Sequence, residues 1–140
     1  MKTVLFACLH NAGRSQMAAS LFNLLADPAA AVAVSAGTQP GTRVHPEVLA
    51  AMNELDVDLS GALPRLLTEE LAASADFLVT MGCGESCPVV PGAVREDWEL
   101  PDPKGLPLEE VRAIRDDIRR RVERFVDGHG WGRARPASAS

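Results

Sequence analysis

Two short stretches constrain the fold more than any other feature: the continuous apolar run TVLFAC at 3–8 and DFLVTMG at 76–82, which reads as a strong buried strand. A strand wet on one face alternates apolar and polar residues. A run that is apolar throughout suits a strand covered on both faces, inside a parallel sheet. Helical spacing follows the first run. Ala18, Leu21, Phe22 and Leu25 recur from about Ser15, and Asp27-Pro28 stops the pattern. AVAVSAG, 31–37, reads as a second strand. Pro46 suits the first turn of a helix striped by Leu49, Met52 and Leu55. Thr68 can cap a short helix that carries Glu69 and Glu70 in its first turn. VREDWEL, from residue 94, reads as a short fourth strand. Pro107 opens a last helix along Leu108, Val111, Ile114, Ile118, Val122 and Phe125. Residues 60–67 follow neither period, and CGESCPVVPGA is a turn-rich loop. Strands alternating with helices predict an α/β fold: a single domain with a four-stranded parallel sheet flanked by helices on both faces. That domain is expected over residues 1–128. The composition GHGWGRARPASAS beyond it predicts a flexible tail over 129–140 that includes Trp131.

The 140 residues fit one domain with a real core. The formal net charge of −5 argues against nucleic acid as a partner. It does not exclude a small anion, because a site can be positive within an acidic chain. No apolar run approaches the roughly 20 residues of a membrane span, and no A-x-A-like cleavage site follows the first strand. The expectation is a cytoplasmic monomer without a membrane partner. The 3 cysteines, Cys8, Cys83 and Cys87, are too few and odd in number for a disulfide framework. They suit redox or nucleophilic chemistry better.

The stretch CLHNAGRS, 8–15, carries that chemistry. It joins the first strand to the first helix, and such a loop presents backbone N–H groups to an anion. Gly13 allows a close turn. Arg14 offers a planar fork to two oxygens of a tetrahedral oxyanion. The same positive field favours a thiolate at Cys8, Ser15 can donate to the sulfur, and Asn11 can brace the loop. The stretch reads as a cysteine nucleophile beneath an oxyanion cradle built from Leu9, His10, Asn11, Ala12, Gly13 and Arg14. A buried structural cysteine beside a surface arginine is the plainer alternative. Cys83 and Cys87 could be inert loop residues, or could bind zinc together with Cys8 and His10, although their spacing is not typical of zinc. Asp102, before Pro103, could be a simple turn residue. His45 reads as structural, and Trp98 as packed beneath the Asp102-Pro103 loop.

CLHNAGRSQMA, SAGT at 35–38, VTMGCGESCP at 79–88 and WELPDP at 98–103 together resemble the thioredoxin-coupled arsenate reductases built on the low-molecular-weight tyrosine phosphatase fold. The likeness runs from about residue 2 to about 127. It implies that Cys8 attacks arsenate, that Arg14 and the loop amides hold the oxyanion, and that Asp102 protonates the leaving oxygen. It further implies that Cys83 attacks Cys8 to release arsenite, and that Cys87 then attacks Cys83 to form a disulfide which thioredoxin reduces. No bound cofactor is implied, and phosphate and sulfate would compete with arsenate. A reductase of the same fold that uses mycothiol or glutathione, a tyrosine phosphatase, and a non-catalytic thiol sensor or metal-binding module are the alternatives. The chain departs from the family pattern in three places. Only Gly84, Glu85 and Ser86 separate the cysteine pair. Ala19, Leu63 and Arg65 stand where some members bind potassium, so no metal site is expected. Tyrosine is absent from the chain, and Lys104 and Gly105 follow Pro103 where phosphatases have tyrosines, which argues against an aromatic phosphoester substrate.

Overall fold

A computed structural model of the chain describes residues 1–82 and 92–133. Four strands, β1 (Lys2–Cys8), β2 (Ala31–Gly37), β3 (Phe77–Thr80) and β4 (Val94–Asp97), form one parallel sheet in the order β2-β1-β3-β4. The helices are α1 (Arg14–Leu25), α2 (Pro46–Asn53), α3 (Glu69–Ala73) and α4 (Leu108–His129). β1 is central, and its last five residues are buried. Val4 and Phe6 point into the larger core, with Met17, Leu21 and Phe22 of α1, Val48 and Met52 of α2, and Ile118, Val122 and Phe125 of α4. Leu5 and Ala7 point the other way, onto Ala36, Leu78 and Ala72 of α3. The uninterrupted apolar run of β1 thus supplies both cores.

The topology places the site. From β1 the chain moves to β2 on one side, then crosses back to β3 on the other. The carboxyl end of β1 therefore lies at the point where strand order reverses, where open α/β sheets bind ligands. Cys8 is the residue at that end.

Several elements end elsewhere than their sequence predicts. β3 covers four residues rather than 76–82: the Met81 amide still donates to the Ala7 carbonyl of β1 at 2.7 Å, and Gly82 then takes φ +101°. β4 stops at Asp97, and Trp98 turns into the core against Phe6 and Phe125. Thr68 does cap α3, its hydroxyl accepting from the Leu71 amide at 3.1 Å. Pro107 sits just before α4 rather than in its first turn.

The C-terminal end differs most from the flexible tail expected over 129–140. α4 runs to His129, and Gly130 caps it with φ +71°. The Trp131 ring stacks on His129 at 4.3 Å and meets Phe22, Phe77 and Phe125 edge-on. The Asp27 amide donates to the Trp131 carbonyl at 2.7 Å, and the Arg133 guanidinium donates to the carbonyls of Asn23 and Leu24. One indole with apolar neighbours outweighs the surrounding Gly and Arg, because an aromatic ring buries so much surface. Residues 134–140 lie outside the described residues.

α2 and α4 are joined by charge. Arg115, largely buried, donates to the Ala51 carbonyl and to Glu54, each at 2.7 Å, and Arg112 pairs with Glu54 from 2.6 Å. Hydrogen bonds from Arg112 and then Arg115 hold the Glu54 carboxyl down from its ordinary 4.5 to about 2. A carboxylate whose folded value is depressed contributes fully above the unfolded value and loses that contribution as pH falls toward the folded one. The window here runs from about pH 4.5 down to about pH 2. Glu54→Gln should lower Tm at neutral pH and flatten the fall of Tm across that window. A curve for the variant that stays parallel to wild type would contradict the pairing.

Candidate active site

The loop after β1 is shaped by its carbonyl groups. Those of Cys8, Leu9, His10 and Ala12 accept from the amides of Thr38, Gln39, Gly41 and His45, at 2.8–3.2 Å. In a trans peptide the C=O and the following N–H point in opposite directions. Carbonyls turned outward therefore turn the amides of Leu9, His10, Asn11 and Gly13 the other way. The Asn11 amide accordingly donates to Cys8 Sγ at 3.2 Å. Gly37 permits the close approach of β2, since a Cβ there would lie 2.7 Å from the Leu9 carbonyl oxygen and 2.8 Å from the Asn11 nitrogen. That contact explains the glycine of SAGT.

Cys8 is buried, at 2% exposure, and its sulfur lies 2.9 Å from Ser15 Oγ. Asn11, which is fully buried, orients the hydroxyl on that contact. The Arg65 backbone amide can only donate, and it faces Asn11 Oδ1 at 3.0 Å. That fixes the amide orientation, so Asn11 Nδ2 donates to Ser15 Oγ at 2.7 Å. Ser15 keeps its own O–H, which donates to Cys8 when the sulfur is a thiolate, since a thiolate has no proton to give. Two donors converge on the sulfur, the arrangement a thiolate accepts. Asn11 itself sits at φ +50°, a left-handed conformation that asparagine tolerates better than most residues.

α1 begins directly beyond the loop, with no side chain capping its N-terminus and no acid in its first turn. A helix end left open in this way favours an anion. Arg14, the first helical residue, is 7% exposed. Its Nη1 donates to the Leu100 carbonyl at 3.3 Å, and its Nη2 lies 3.8 Å from Asp102 Oδ2. Asp102 is half-exposed and accepts from the Lys104 amide at 3.0 Å. The 102–103 loop lies directly on the anion loop, since a Cβ on Gly13 would come 2.7 Å from Pro103 Cγ. A groove of about 600 Å³ opens beside His10, with Arg43, His45 and Lys104 in its wall. His10 donates from Nδ1 to the Gln39 carbonyl, 2.9 Å away, which leaves it at the mouth. His45 serves the loop through its backbone.

The fold therefore brings Cys8, the loop through Ser15, and Asp102 to one point. Cys83 and Cys87 lie outside the described residues. Among the described residues no three His, Cys, Asp or Glu side chains gather as a metal site. Two participants are new. Gln16, buried, donates to both the Asn11 carbonyl and Oδ1, and ties them to the Leu63 carbonyl. A glutamine one residue past the loop looks like an ordinary helix residue, so only its burial reveals the role. The second is Gly82, whose backbone lies against the Arg14 fork.

Residues 3–129 match the family model of the low molecular weight phosphotyrosine protein phosphatases. The chain belongs to that family. Within it, the chain is 36% identical to the glutaredoxin arsenate reductase of Synechocystis sp., over 90% of this chain and 97% of that protein. It is 33% identical to an arsenate reductase of Staphylococcus aureus, over 89% of this chain and 95% of that one. Among solved structures, the thioredoxin-dependent arsenate reductase of Corynebacterium glutamicum superposes with a TM-score of 0.75 at 35% identity, over 91% of this chain. This chain spans 60% of that longer one.

Proposed function

We propose that this chain reduces arsenate to arsenite in arsenic detoxification, using Cys8, Cys83 and Cys87 and taking its electrons from thioredoxin. The observation that carries the reading is the Cys8 sulfur, fixed by the Asn11 amide and Ser15 at the floor of a loop whose amides face inward. The kinship to arsenate reductases supports the choice of oxyanion.

The Cys8 thiolate attacks arsenic and forms an S–As bond. Arg14 and the loop amides hold the charged oxygens, and Asp102 gives a proton to the leaving oxygen so that it departs as water. Cys83 then attacks Cys8. An S–S bond forms, the S–As bond breaks, and its electron pair stays with arsenic, which leaves as arsenite. Two thiols have lost two electrons, and arsenic(V) has become arsenic(III). Cys87 attacks Cys83, frees Cys8, and leaves a Cys83–Cys87 disulfide for the external dithiol. The Synechocystis relative's name specifies glutaredoxin and the Corynebacterium one thioredoxin, so the external reductant is the point where relatives divide. The presence of a third cysteine, able to carry the disulfide outward, favours thioredoxin. The chain is taken to act as a cytoplasmic monomer; no described helix is long and apolar enough to cross a membrane.

The relay makes a specific prediction for Cys87→Ser. Mixed with arsenate and no external reductant, this variant should release one arsenite per chain and stop with Cys8 joined to Cys83, visible as a linked peptide by mass spectrometry. Sustained turnover of Cys87→Ser with thioredoxin at the wild-type rate would overturn the three-thiol order.

A further inference from the structure

We infer that Gly82 positions the Arg14 guanidinium for oxyanion binding. The inference rests on the reading of the 8–15 loop as an oxyanion site. A Cβ built on Gly82 would lie 2.2 Å from Arg14 Nη1, 3.1 Å from Cζ and 3.6 Å from Nη2, so the backbone at residue 82 forms a wall against the whole fork. The fork's polar contacts are weak by comparison. The Leu100 carbonyl is 3.3 Å away and the Asp102 carboxylate 3.8 Å, and neither holds two nitrogens at once. Arginine recognises a tetrahedral oxyanion through the direction of its N–H groups, so the wall sets more than the presence of the charge. Gly82 also takes φ +101°, which only glycine adopts without strain. The residue leading into Cys83 therefore also sets the anion-binding fork.

The atoms a new methyl would displace are the far end of a long side chain. Gly82→Ala can fold by pushing the fork aside, and the defect then appears in anion binding. Gly92 supplies the control, because it has a similar φ of +88° and a Cβ added there would meet nothing within 4 Å among the described residues. Gly92→Ala carries the backbone strain without the contact.

The test is the affinity of the reduced full-length chain for inorganic phosphate, by titration calorimetry, with Tm recorded in parallel. Gly82→Ala should weaken phosphate by at least about 10-fold, and Gly92→Ala by less than about 2-fold. In an Arg14→Lys background, Gly82→Ala should cost less than about 2-fold further, because two residues acting through one contact are not additive. Wild-type affinity in Gly82→Ala, an equal loss in Gly92→Ala, or the full loss repeated on Arg14→Lys would each overturn the inference. Absence of phosphate binding to wild type would instead overturn the oxyanion site itself.

Discussion

Cys8→Ser should reduce arsenate turnover by at least about 10⁴-fold while leaving phosphate binding near wild type. The substitution changes one atom at a buried position, so the packing of β1 is preserved. The Asn11 amide at 3.2 Å and the Ser15 hydroxyl at 2.9 Å would find an oxygen in place of sulfur. What is lost is the nucleophile. A serine hydroxyl stays protonated at neutral pH, and among the described residues no histidine or carboxylate is hydrogen-bonded to Cys8 to take its proton. Arsenite release should be followed in a single-turnover assay alongside phosphate titration. Residual turnover within about 10-fold of wild type would show that another group attacks arsenic.

Asn11→Ala should lower stability by about 1–3 kcal/mol and turnover by about 10²-fold, since a buried partner left unsatisfied costs about 1–3 kcal/mol. The Arg65 amide loses its acceptor, Ser15 Oγ loses the donor that orients it, and Gln16 Nε2 loses one of three acceptors while keeping the residue-11 and Leu63 carbonyls. Alanine also accepts φ +50° less readily than asparagine. A second substitution separates the two effects. Asn11→Asp keeps an acceptor for Arg65 and Gln16, yet presents an acceptor to Ser15 where Nδ2 stood. The Ser15 proton would turn from Cys8 to the new carboxylate. Asn11→Asp should therefore lose activity disproportionately to Tm. Thermal denaturation and steady-state kinetics on both variants check this, and equal ratios of activity to stability loss would contradict the proton assignment.

Much of this arrangement is legible in the amino-acid order, and the reasons vary by element. β2 has the bounds its sequence predicts, because AVAVSAG is apolar until a glycine that the neighbouring loop requires. β1 and α1 are legible because burial on both faces and the 3.6-residue stripe are local signals. β3 is shorter than its apolar run, since apolarity persists through Met81 although the ladder ends at Thr80. Trp131 packs where its local composition predicts a tail, because its partners, Phe22, Phe77 and Phe125, come from three separate elements. At the site, Cys8, Arg14 and Ser15 are visible from chemistry and spacing, and the approach of Asp102 to Arg14 follows from family likeness. Asn11 is legible as a brace, but its partners Gln16 and Arg65, the outward carbonyls held by residues 38–45 and the Gly82 wall are not. Each depends on contacts between segments far apart in the chain, and no local pattern encodes them.

We propose that three cysteines pass two electrons from thioredoxin to arsenate. This transfer is tested most directly by NADPH oxidation in a mixture of reduced protein, arsenate, thioredoxin and thioredoxin reductase. Wild type, Cys83→Ser and Cys87→Ser should be compared side by side. Wild type should consume NADPH continuously, and neither variant should do so above background. No consumption by wild type with thioredoxin, together with turnover by both variants when glutathione and glutaredoxin are supplied, would contradict the relay.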